Sequence, residues 1–159
     1  MSQFEQRSFY EPVRQWLVSQ GFNAVVTGAR LHVVVPVADL VPMPYKVPDV
    51  VGFRDNGVAI VEVETSKKRF FDALGRCMLW KSTAAFVFLA YPAGTLGGRV
   101  PLLERLGVGL LEVDAERDKV NAVMPLPLDG VEHFRVVELH PLDYPRQQEL
   151  LRQVRAACV

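Results

Sequence analysis

Apolar positions recur at Phe9, Val13, Trp16 and Leu17 within FEQRSFYEPVRQWLVSQ (4–20), the spacing of one buried helix face. Gly21 supplies the stop. Pro12 fits only an early turn, so Ser8 is the expected N-cap. The period then changes. Residues 22–27 and 30–37 are rich in valine and predict two strands joined at Gly28-Ala29. PVADLVPMPYKVP (36–48) is too proline-dense for a regular element and predicts a loop. DVVGF (49–53) and VAIVEVET (58–65) predict a hairpin, because Asn-Gly in the intervening RDNG (54–57) takes positive φ at little cost.

Ser66 is a candidate N-cap for a helix over 67–81, in which Phe70, Phe71, Leu74 and Met78 keep helical spacing. These aromatic and aliphatic residues, with Trp80, are expected in the core. AAFVFLAY (84–91) is nearly all apolar and predicts a strand buried on both faces. After a glycine-rich turn, PLLERLG (101–107) predicts a short helix, VGLLEV (108–113) and KVNAVMP (119–125) two strands, and RQQELLRQVRAA (146–157) a terminal helix. A crossover from strand 58–65 through helix 67–81 to strand 84–91 makes that pair parallel and the connection right-handed. The hairpin strands before it are antiparallel. The fold class is therefore α/β, a mixed sheet flanked by helices. The expected organisation is a single domain over 1–159, with 131–159 a C-terminal extension and helix.

Composition narrows the function classes. Half of the 159 residues are apolar, enough for a sizeable core, and 18 basic residues balance 18 acidic ones. A polyanion must then be met by a local patch and not by bulk charge. Cys77 and Cys158 suit neither a disulfide framework nor a zinc knuckle, and MSQFEQRSFYEP has no signal-peptide run. A cytoplasmic setting and no membrane span are expected. His32, His133 and His140 lack metal-ligand spacing. No G-x-S-x-G or P-loop pattern occurs, and AGTLGGRV (93–100) reads as a turn.

The chemistry concentrates in VPDVVGFRDNGVAIVEVETSKKRF (47–70). Alternation puts Val58, Ile60, Glu62 and Glu64 on one strand face and Ala59, Val61 and Val63 on the other. Pairing through the 54–57 turn sets residues near 49–50 beside residues near 62–64. Asp49, Glu62 and Glu64 then crowd one edge of the sheet. Without a cation they would repel, and one would resist ionising. Three such acids make physical sense around a hard divalent ion. The following helix carries Lys67, Lys68, Arg69, Arg76 and Lys81 against one acid, Asp72, and cations at its N-terminus oppose the helix dipole. Acids that hold a metal, flanked by cations that meet phosphate, are the layout for phosphodiester hydrolysis.

Pro48-Asp49 followed by Glu62-Val63-Glu64 resembles the motif of the PD-(D/E)XK nuclease superfamily. The resemblance runs from about residue 9 to residue 113. It implies a restriction-endonuclease-like αβββαβ core, Mg²⁺ or Mn²⁺ as cofactor, and hydrolysis of nucleic acid, DNA ahead of RNA. It implies Asp49 and Glu62 as metal ligands, Glu64 as a ligand or general base, and Glu11 as an acid offered from the first helix. Lys67 and Arg76 would meet the phosphate, with Lys68 and Arg69 as further nucleic-acid contacts. Arg76 and Trp80 hold the places where the family often has Gln and an aromatic residue. GVGLLEVD (107–114) is similar to a late strand of restriction-type and resolvase-like relatives. Glu64 stands where the family has lysine; some active members carry a second Glu there, and others with altered motifs have become binding modules. Lys67, the nearest lysine in the chain, is the catalytic residue expected to stand in for the family's own. A homodimer acting on two strands is expected by the same likeness. The competing expectations are an inactive nuclease-fold module for nucleic-acid binding or protein assembly, and a protein-interaction domain with solvated acids. Arg146, Arg152 and Arg155 of the tail read as a second nucleic-acid contact or a solvated face.

Overall fold

The computed structural model describes residues 7–26, 48–54, 57–81 and 84–124, and residues 148, 151–152 and 155–156 of the tail. In chain order the elements are α1 (Tyr10–Ser19), β1 (Asn23–Val26), β2 (Val50–Arg54), β3 (Gly57–Val63), a 3₁₀ turn (Lys67–Arg69), α2 (Phe70–Trp80), β4 (Phe86–Pro92), α3 (Val100–Leu106), β5 (Gly109–Asp114) and β6 (Lys119–Met124). The six strands lie side by side in sequence order. β1, β2 and β3 are antiparallel, β3, β4 and β5 parallel, and β6 antiparallel to β5. The protein is thus an α/β fold with a mixed sheet flanked by helices. The described partner of β1 is β2, from Asn23 opposite Phe53 to Val26 opposite Val50. The expected strand 30–37, the proline-rich loop as far as residue 47, and the hairpin tip at 55–56 lie outside the described residues. Among the described residues no helix is long and apolar enough to cross a membrane.

The two-residue period of the strands sorts the core into two layers. On one face α1 lays Val13 and Leu17 over Val50, Ala59, Val61 and Phe88. On the other, α2 lays Phe70, Ala73, Leu74, Cys77 and Trp80 over Val51, Val58, Ile60 and Leu89. Each such aliphatic or aromatic side chain contributes about 1.5–3 kcal/mol by leaving water. Phe86 through Tyr91 are all buried, as the run of apolar residues in β4 predicts. In the tail, Leu151 is buried against the α2 layer and Arg155 lies over the Phe53 ring.

Helix ends differ from expectation. Phe9, not Ser8, is the N-cap of α1, without a side-chain cap bond; Pro12 sits buried in the first turn, where its missing N–H costs nothing. Ser66 has an extended backbone but makes no cap bond, and a 3₁₀ turn precedes α2. Phe71 is not core: it is 65% exposed. The helix axis turns the 70–74–77 face inward and leaves position 71 outside.

Candidate active site

The β2–β3 register pairs Val50 with Val61. Asp49 precedes the first and Glu62 follows the second, so the two acids come off adjoining strand ends. Asp49 accepts from both sides: the Tyr10 hydroxyl donates to Oδ1 at 3.2 Å and the Val63 N–H to Oδ2 at 2.8 Å. Glu62 is 2% exposed. Its Oε1 accepts from the Trp80 indole N–H at 2.6 Å, and its Oε2 from Arg76 Nε at 3.3 Å. Arg76 and Trp80 are four residues apart on α2, so one helix face delivers both donors to the sheet.

Glu64 lies just past the end of β3, its N–H still bonded to the Ala90 carbonyl at 3.0 Å. It too is buried. Its Oε1 accepts the Thr65 and Ser66 N–H groups, each at 3.1 Å, and its Oε2 accepts Arg76 Nη2 at 3.3 Å. Glu64, not Ser66, thereby satisfies the backbone at the entry to the 3₁₀ turn. The Arg76 guanidinium bridges Glu62 and Glu64.

Burial pushes the Glu62 carboxyl up to about 8, helped by the charge of Asp49 and resisted by Arg76. Burial also raises Asp49, while the Val63 N–H pulls it back. Tyr10 is raised by burial and then by the Asp49 charge, so it stays a hydroxyl donor. Arg76 is opposed by burial, but the two glutamates hold it above its ordinary value. Among the described residues the Arg76 guanidinium faces Glu62 and Glu64 and acts on Asp49, and Arg69 Nε is a second cation near Glu64.

Asp49 adjoins Glu62, and Arg76 links Glu62 to Glu64. Among the described residues no set of three His, Cys, Asp or Glu has the geometry to hold a metal ion. Glu11 is exposed and bound to Arg14 and Gln15 on α1; the residue that α1 sends to Asp49 is Tyr10. Lys67, Lys68 and Arg69 are exposed on the 3₁₀ turn. Arg69 Nε lies 3.9 Å from both Glu64 Oε2 and Asp72 Oδ2. Arg76 is engaged by the acids and does not stand apart on a basic face. Lys81 is buried, with Nζ donating to the Gly107 carbonyl at 2.7 Å, so it caps α3. Solvated acids, as an interaction domain would have, do not describe Glu62 and Glu64. His32, His133, His140, Arg146 and Cys158 lie outside the described residues.

Sequence reasoning missed Tyr10 and the indole N–H of Trp80. The four-residue spacing of Arg76 and Trp80 was a usable signal for the second; adjacency to Glu11 was the only one for the first. Chemically, Asp49 and Glu62 offer hard oxygen donors.

No protein-family model matches the chain, and no curated protein matches it. Its fold is similar to that of a solved structure described as "SPO1766 protein of unknown function from Silicibacter pomeroyi", with a TM-score of 0.58 and 19% sequence identity over 92% of this chain and 80% of that one. At that identity the likeness concerns the fold.

Proposed function

We propose that the chain is a divalent-metal-dependent nuclease with a restriction-endonuclease-like core, acting on DNA in the cytoplasm. The order α1, β1, β2, β3, α2, β4 supports the core, with Asp49 just before β2 and Glu62 next to the last residue of β3. The observation that carries the activity is the adjoining acidic pair of half-buried Asp49 and buried Glu62, whose charges act on each other. These two residues would hold Mg²⁺ or Mn²⁺. When bound there, such an ion lowers the pKa of a coordinated water and offsets charge on the phosphate. Tyr10 and the Val63 N–H orient Asp49, and Trp80 orients Glu62. Glu64 positions Arg76, whose guanidinium would offset charge that builds on the phosphate. Lys67, exposed on the adjoining turn, meets a flanking phosphate.

A second reading is an inactive module of the same fold, used for nucleic-acid binding or assembly. The bridge from Arg76 to both glutamates favours it, because a fixed guanidinium already takes part of a metal's electrostatic role. A cleavage assay separates the two. Supercoiled, linear, branched and single-stranded DNA, and RNA, are incubated with Mg²⁺ or Mn²⁺ and either the natural protein or Glu62→Gln. The nuclease reading expects cleavage that chelator and the substitution both abolish. Nucleic-acid binding without cleavage under every condition supports the inactive module.

A further inference from the structure

Phe71 is a large aromatic side chain that the fold leaves 65% exposed, at the start of α2. It is braced rather than loose. Its ring meets that of buried Phe70 edge-on, centroids 5.2 Å apart at 70°. The Arg99 guanidinium carbon lies 5.2 Å from the Phe71 centroid and 4.9 Å from that of Phe70. Arg99 comes from the turn before α3, where the neighbouring Gly97 and Gly98 would meet nothing within 4 Å if given a side chain. Just before Phe71, the exposed Lys67, Lys68 and Arg69 line the 3₁₀ turn that leads away from Glu64. Arg69 Nε lies 3.9 Å from the exposed Asp72 and from the buried Glu64.

Burial does not explain an aromatic ring here, and cations at a helix start oppose the dipole. A base needs a π-face, and the phosphates beside it need cations. We propose that Phe71 and Arg99, with Lys67, Lys68 and Arg69, form a stacking platform for an unpaired stretch of nucleic acid. Phe71 takes a base on its open side while the lysines and Arg69 track the backbone. A duplex keeps its bases stacked on each other and can use only the cations. This deepens the nuclease reading by naming substrates with single-stranded character, and it rests on that reading only for the cleavage of the bound strand.

The test is equilibrium binding of the full chain in chelator, where no metal-dependent cleavage intervenes. Fluorescein-labelled oligo(dT) and a duplex of equal length are followed by anisotropy. Phe71→Ala is expected to weaken oligo(dT) binding about 5- to 100-fold, the size of base–aromatic stacking. Duplex binding should stay unchanged. Phe71→Trp should restore affinity, and its fluorescence should be quenched by oligo(dT), the signature of stacking. Lys67→Ala with Lys68→Ala should weaken both ligands. Equal loss on both nucleic acids in Phe71→Ala, or no loss on oligo(dT), overturns the proposal. So does a change from dimer to monomer with binding intact, which would make Phe71 a protein contact. Failure here leaves the acidic pair untouched, and failure of cleavage leaves this binding test untouched.

Discussion

Glu62 shows how one residue's surroundings set its acidity. Its folded pKa of about 8 lies above the ordinary 4.5 because burial and Asp49 both favour the protonated form. Between those values the folded chain binds more protons than the unfolded chain. The stability Glu62 contributes is therefore fully present below about 4.5 and is lost as pH rises through about 8. In chelator, thermal melts of the natural protein should fall in Tm from pH 5.5 to pH 9. Glu62→Gln should show a flatter profile and the higher Tm at pH 9. Parallel profiles would mean that Glu62 titrates normally. Alternation along β3 is enough to put this carboxyl on the strand face that carries Ile60. It could not show the bonds from Trp80 and Arg76, since those depend on how far α2 is rotated over the strands. Nor could it show that β3 ends at Val63, which lets Glu64 turn to its own backbone and to Arg76.

At the level of elements, strong periodicity carried most of the fold. The parallel β3–α2–β4 unit follows from an amphipathic run between two apolar ones, and β4 from its uninterrupted apolar sequence. Helix starts were less legible. Ser8 and Ser66 look like caps, yet Phe9 takes the cap position of α1 and Ser66 makes no cap bond, the Glu64 carboxylate serving that turn instead. Phe71 also escaped, since helical spacing marks a broad stripe and the sheet covers only part of it. Gly52 marks where α1's exit meets the sheet. A Cβ there would lie 3.0 Å from Phe22 Cβ and 3.4 Å from the Asn23 carbonyl. Backbone and a packed ring base cannot yield as a flexible side chain would. Gly52→Val should cost about 1–3 kcal/mol by overpacking, read as a lower urea midpoint at unchanged slope. An unchanged midpoint would show that α1 is free to shift from β2.

Across the whole molecule, charge is balanced overall and uneven locally. Glu62 and Glu64 are buried at the end of β3 with half-buried Asp49 nearby, and cations line the turn beside them. In the proposed reading the rim attracts a phosphate-bearing ligand and the floor a divalent ion, without the general stickiness of a basic protein. That floor is the central claim, and Mn²⁺ binding followed by electron paramagnetic resonance tests it most directly. The aqueous Mn²⁺ signal should diminish on titration with the natural protein at pH 8. The effect should weaken at pH 6, where the proton on Glu62 competes, and should vanish in Asp49→Asn and in Glu62→Gln. An undiminished signal with the natural protein, or binding that survives both substitutions, would contradict the assignment of this pair as the metal site.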